Sequence, residues 1–284
     1  MKISRRQALA FAGATILTRA RWAFADKPMP AGFVGHGSPM LAIDPVRGAE
    51  LRKWGSALPK PTGIVTITPH YRARGLKIGH VGKGKALYSF PDFMKAKLPS
   101  DLDYPSPDNT QLAHTVADFL APLEPTFDES RAGFDHTTWM PLRHLFPDAP
   151  VPVVEIAMPF FQENDFFKLG RRLSPLRHQG VFILASGSIT HNLASMNMAE
   201  NTTTTERPFV RAFDDWAEKT LRERDLDALL DWRKRAPNAE LAHPDDGGHF
   251  RVLLVALGAS SGVATFPITG IEMGTQSKRC IELS

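Results

Sequence analysis

Four short apolar runs separated by helical patterns limit what this chain can become. They are Ala31–Gly35, Gly63–Thr68, Val151–Met158 and Val181–Ala185, and each reads as a strand. Between them, Asp44–Leu58 reads as a helix: Asp44 can cap, Pro45 suits the first turn, and Leu51, Trp54 and Leu58 recur on one face. Asn109–Leu120 and the basic, amphipathic Asp165–Leu176 read as helices too. Phe209–Leu230 holds one or two helices whose i,i+4 charge pairs mark a solvated face. A last apolar helix runs from His249 through Leu257, and Val263–Leu283 supplies closing strands. Residues 72–108, rich in Gly, Pro and Ser, form an irregular excursion with a strand near Lys77–Val81, and Ala132–Leu145 ends in a short helix. Strands alternating with helices predict an α/β fold: one domain with a central, mostly parallel or mixed sheet and helices on both faces. No repeat, linker or shift of composition marks a second domain.

Histidines fall at the ends of these elements. His36 sits in Gly35-His36-Gly37-Ser38-Pro39, His70 in Thr68-Pro69-His70-Tyr71, His191 in Ser188-Ile189-Thr190-His191-Asn192 and His249 in Gly247-Gly248-His249-Phe250. Each is read as lying where a strand or loop gives way to a helix. In open α/β sheets the ends of the strands are where ligands bind. Imidazole is the commonest protein metal ligand and also moves protons near neutral pH. Glycine on both sides of His36 lets backbone approach a ligand without a Cβ clash. The joint pattern predicts a mononuclear metal site assembled from distant loops. His80, His114, His144 and His178 sit in or beside helices and strands where surface or core roles suffice; His243 is more open, because Pro244-Asp245-Asp246 brings acids close to His249. Asp135 can hold His136. Phe90-Pro91 and Tyr71 are candidates either for the core or for the wall of an aromatic pocket.

The net charge of +4 belongs to the first 25 residues. Lys2, Arg5, Arg6, Arg19 and Arg21 lie there without an acid; removing them leaves 29 basic against 30 acidic residues, a net of −1. The balance therefore gives no reason to expect a nucleic-acid partner. Ser4-Arg5-Arg6-Gln7-Ala8-Leu9, the mild apolar stretch Ala8–Leu17 and Ala23-Phe24-Ala25 read as a twin-arginine (Tat) signal peptide over residues 1–25. The expected partner is the Tat export machinery, the expected location the periplasm, and the mature domain residues 26–284. No apolar run reaches the roughly 18 residues of a spanning helix, so stable membrane insertion after signal removal is not expected. Cys280, the one cysteine, excludes an intrachain disulfide and is read as structural.

Gly35-His36-Gly37-Ser38-Pro39-Met40, Pro69-His70-Tyr71, Gly133-Phe134-Asp135-His136-Thr137-Thr138-Trp139, Ser186-Gly187-Ser188-Ile189-Thr190-His191-Asn192-Leu193, His249-Phe250 and Gly270-Ile271-Glu272-Met273-Gly274 resemble the class III extradiol ring-cleaving dioxygenases, in their 4,5-DOPA dioxygenase branch. The resemblance spans roughly Gly32 to Leu283. It implies a metal-dependent enzyme that opens the ring of a small catechol-type, DOPA-like substrate with O2. It implies Fe(II), or Zn(II), held by His36 and His70, with His249 completing the coordination and His191 either a further ligand or the acid/base. His136 would hydrogen-bond substrate or oxygen. This chain lacks the acidic residue that the family usually carries directly before the histidine matched by His249.

Two other readings use the same residues. A zinc-dependent hydrolase would activate water on the same imidazoles. A non-catalytic exported metal-binding protein would fill every coordination position and turn nothing over.

Overall fold

The computed structural model describes residues 27–148, 151–196 and 206–284. Residues 1–25, read above as a signal peptide, and the cleavage point expected before Asp26 lie outside them. In chain order the principal elements are β1 (Ala31–Gly35), α1 (Pro45–Ala57), β2 (Gly63–Arg72), β3 (Lys77–Ile78), α2 (Thr110–Leu120), β4 (Thr126–Phe127) and α3 (His136–Leu145). Then follow β5 (Val153–Met158), α4 (Glu163–Leu173), β6 (Val181–Gly187), α5 (Pro208–Glu223), α6 (Leu253–Ala259), β7 (Ala264–Ile268) and β8 (Cys280–Leu283). Helix α1 begins where expected, because the Asp44 carboxylate accepts from the Val46 and Arg47 amides at 2.9 and 3.0 Å. Helix α2 starts one residue late: Asn109 spends its side chain on the carbonyls of His80 and Val153 and the Gly82 amide, tying the excursion to β5.

These eight strands form one sheet in the order β4-β3-β5-β2-β6-β1-β8-β7, and two short two-stranded ladders lie outside it. The central four, β5-β2-β6-β1, are parallel; β3, β8 and β7 each join antiparallel to the strand on their inner side. The fold is the single α/β domain expected. Register shows why the central strands read as continuous apolar runs. Val65, Ile67, Phe33, Ile183 and Val154 project into one core with α2, α4, α5 and α6, while Ile64, Val34, Phe182, Leu184 and Val153 project into a second with α1 and α3. Both faces are covered, so both alternating sets must be apolar.

Two expectations need correction. Strand β2 does not stop at Thr68. It continues through His70 to Arg72, with its register against β5 broken between Thr68 and Arg72. Pro69 has no N–H for the ladder, so the strand bulges there instead of ending. His70 is therefore followed by the short strand β3 and not by a helix. The helix expected from His249 onward is interrupted at Val252, giving a turn over Gly248–Arg251 and then α6. Cys280 is fully buried in β8, where burial raises its thiol to about 11, in keeping with a structural role.

Candidate metal centre

The parallel strands share one carboxyl edge, and three of them deliver an imidazole to it. His36 follows β1, His70 rides the bulge of β2, and His191 lies four residues beyond β6. His249 comes from the turn after Gly247, and backbone bonds fasten that turn to the same edge. The His36 amide donates to the Gly187 carbonyl at 3.0 Å, and the Ser188 amide donates to the His249 carbonyl at 3.1 Å. Gly187 permits this approach: a Cβ there would stand 2.1 Å from the His249 carbonyl oxygen. Gly37 turns the chain at φ +61°, and a Cβ there would stand 2.0 Å from Glu272 Oε1.

His36, His70 and His249 come together so closely that one potential ligand atom from each lies within 4.8 Å of the others. Their ring centroids stand 5.2–5.4 Å apart, and His70 Nε2 is 3.1 Å from His249 Nε2. The Ser186 hydroxyl donates its one proton to the Thr137 carbonyl at 2.6 Å, so toward His36 Nδ1, at 3.0 Å, it acts as acceptor. That fixes His36 as the Nδ1–H tautomer and leaves a lone pair on Nε2. Burial, then the neighbouring imidazoles, lowers His36 and His249 well below the usual range. His70 opens onto the pocket, yet protein encloses the rest of it, and that desolvation lowers it to about 4. Three neutral imidazoles directed at one point form an electron-rich hollow. Two nitrogens bound at 2.0–2.1 Å to one ion stand roughly 3 Å apart, the separation found for His70 and His249. The residues fit a divalent cation.

Two further histidines flank this cluster, each backed by an aspartate. His136 opens α3 behind its N-cap Asp135, whose carboxylate lies 3.3 Å from His136 Nδ1. Ser89 donates to Asp135 and stands 3.0 Å from the same nitrogen. Burial pushes Asp135 up, but hydrogen bonds from His136 and Ser89 outweigh it and hold the carboxyl well below its ordinary value. Asp135 Oδ1 also accepts from the Thr137 amide and hydroxyl at 2.9 and 2.6 Å, so its oxygens are engaged. Behind it, fully buried Glu155 accepts from the Asp135 amide, Thr138 and Arg131. On the other side His191 stacks on His249 with centroids 3.5 Å apart and planes 11° from parallel. Its Nδ1 lies 3.4 Å from Asp245. Burial opposes ionisation of Asp245, but the bond to His191 and the Gly247 amide bring it down to about 2.

Every histidine singled out for the site reaches it: His36, His70, His191 and His249, with His136 beside His70 at a centroid distance of 4.7 Å. Asp246 does not; it pairs with Arg72. Tyr71 is no pocket wall either. Strand alternation turns it away from His70, so that its hydroxyl donates to Asp128 at 2.7 Å and its ring lies under Arg131. Phe90 and Pro91 do line the pocket, a cavity of about 360 Å³ over the imidazoles, within the range of small-molecule sites. Three surface depressions are larger, about 600, 560 and 370 Å³, but none of them reaches the imidazole cluster. Sequence reasoning missed Ser186 and Ser89 as supports for His36 and His136: Ser186 sits at the end of β6, where only the distant Thr137 carbonyl reveals its role, and Ser89 lies in the irregular excursion, which carries no periodic signal.

Fold and site together define an α/β protein with a histidine-rich pocket at the carboxyl edge of its sheet. Residues 43–276 match the family described as the catalytic LigB subunit of aromatic ring-opening dioxygenase, and the chain belongs to that family. It is 31% identical over 269 residues to a 4,5-DOPA dioxygenase extradiol of Escherichia coli K12, covering 90% of this chain and 94% of that one. It is 32% identical over 235 residues to the 4,5-DOPA dioxygenase extradiol of Beta vulgaris, covering 80% and 85%. The crystal structure of an uncharacterized protein from Escherichia coli K12 superposes with a TM-score of 0.76 at 29% identity, over 90% of this chain and all of that one.

Proposed function

We propose that this protein is a metal-dependent extradiol dioxygenase that opens the ring of a catechol-type substrate with O2. The observation that carries the reading is the hollow of neutral imidazoles from His36, His70 and His249, open to a cavity on one side and flanked by His136 and His191. A closed structural site would have no reason to keep such a cavity. Fe(II) or Zn(II) is the ion we assign to the three imidazoles. When bound, it supplies positive charge that acidifies a catechol hydroxyl and, as Fe(II), a redox centre for oxygen.

The rest falls to the protein's own groups. Ionised Asp245 favours the Nδ1–H tautomer of His191, so His191 Nε2 keeps a lone pair with which to take a hydroxyl proton from the substrate. This makes His191 the acid/base in preference to a fourth ligand. Ser89 and Asp135 fix Nδ1–H on His136 in the same way, leaving its Nε2 to hydrogen-bond the substrate. Phe90 packs edge-on against His136 at 5.1 Å and keeps water from that side.

We also propose that residues 1–25 send the chain to the periplasm by the twin-arginine route; a mature N-terminus at Asp26 is the expected sequencing result. For the activity, the test is oxygen uptake by protein loaded with Fe(II) under argon and then given catechol or DOPA in air. A yellow ring-opened semialdehyde is expected, one O2 consumed per ring. Iron-loaded protein that consumes no oxygen with any catechol defeats the reading.

A further inference from the structure

The wall of the pocket carries information about the substrate that the imidazoles do not. Four of the chain's nine methionines, Met40, Met94, Met196 and Met273, line this one cavity. Unbranched thioether chains make an adaptable apolar surface, the kind used where ligands vary in shape. At the same opening Phe93 and Leu193 remain 57% and 58% exposed, an apolar rim with nothing over it among the described residues. Charge is scarce there. The one charged side chain among the described lining residues is Lys97, and no carboxylate is found among them. Asp135 and Asp245 lie behind His136 and His191 with their charges already engaged. Glu272 lies under Gly37, 3.8 Å from Arg47.

A ligand with its ring over the imidazoles would run its side chain along this wall. An apolar chain gains from burial at about fourfold in affinity per methylene. A terminal carboxylate meets Lys97. An ammonium group meets no anion among the described lining residues and loses water against methionine and phenylalanine. We propose that the pocket selects catechols whose apolar side chain ends in a carboxylate and discriminates against those carrying an ammonium group, with Lys97 as the residue that reads the charge. This rests on the ring-opening reading above and departs from the zwitterionic side chain of DOPA.

Three catechols with the same ring and two-carbon spacer separate the possibilities: anionic 3-(3,4-dihydroxyphenyl)propionate, zwitterionic DOPA and cationic dopamine. Their dissociation constants are measured by calorimetry on Fe(II)-loaded protein under argon, with oxygen uptake followed separately. Lys97 is solvent-exposed, so its contribution is about two- to fivefold. The propionate is expected to bind about threefold tighter than DOPA and about tenfold tighter than dopamine, and 4-butylcatechol at least tenfold tighter than catechol. Lys97→Met should bring the propionate within twofold of DOPA, and Lys97→Glu should make dopamine the tightest of the three. DOPA or dopamine binding as well as the propionate to the unaltered protein, an order that survives Lys97→Glu, or no binding of any catechol at millimolar concentration overturns the proposal. The expected binding order without oxygen uptake keeps the pocket assignment and removes the ring-opening reading. Oxygen uptake with no charge preference in binding does the reverse.

Discussion

Ser186→Ala isolates the support beneath His36. The Ser186 hydroxyl accepts from His36 Nδ1 and donates to the Thr137 carbonyl, and all three groups are buried. Alanine leaves a buried N–H and a buried carbonyl without a partner. An unsatisfied buried group costs about 1–3 kcal/mol, so with two such groups the metal-free protein should lose about 2–6 kcal/mol of stability, read from the midpoint of urea unfolding. The second effect is on the metal. Without an acceptor at Nδ1, His36 is free to protonate Nε2 or to rotate, and loss of such an outer partner weakens binding about 10–100-fold. Competition against a calibrated chelator measures this for Zn(II), which needs no exclusion of oxygen. Ser186→Thr, which keeps the hydroxyl, should recover most of the affinity. Affinity in Ser186→Ala within twofold of the unaltered protein would refute the tautomer argument and with it the role given to His36 Nε2.

His191→Ala should lower oxygen uptake about 100-fold or more, the usual share of a general acid/base, and keep one metal per chain; loss of metal in that variant would make His191 a ligand instead. The metal-free protein should weaken as pH falls. His70 at about 4, and His36 and His249 well below their ordinary value, must be neutral in the fold, while the unfolded chain takes up protons from about pH 6.5 downward. Stability is therefore complete above about pH 6.5 and falls below it, the part due to His70 being lost between there and about pH 4; a urea midpoint at pH 5 equal to that at pH 7.5 would contradict this. Asp214→Ala should cost about 2–3 kcal/mol, since the buried Ser277 hydroxyl loses its acceptor and Arg279, just before β8, keeps only Glu218 as its counter-charge; a shift under 1 kcal/mol in urea unfolding would count against it.

Much of the sheet was legible because strands buried on both faces must be apolar at every position, and that signal is local. Asp44 and Pro45 announced α1 for a similar reason. The histidines were legible as a set, since His36, His191 and His249 each stand next to small residues where an element ends. What stayed hidden depends on distant partners. The bulge at Pro69 keeps His70 within β2, and only the pairing of β2 with β5 reveals it. Tyr71 faces away from the site because of that same strand geometry. The excursion over 72–108 has no periodicity to read, yet it supplies Ser89, Phe90, Met94 and Lys97 to the pocket. Asp245 is close to His249 in sequence but pairs with His191, a contact that the turn at Gly247 creates.

The convergence of His36, His70 and His249 on one ion is tested most directly by counting metal. Protein loaded with Fe(II) or Zn(II) under argon and desalted should hold one ion per chain by plasma emission spectrometry. His36→Ala, His70→Ala and His249→Ala should each fall below about a tenth of that while circular dichroism stays native. Full stoichiometry retained in any one of the three, with the fold intact, would remove that residue from the site and contradict the arrangement described.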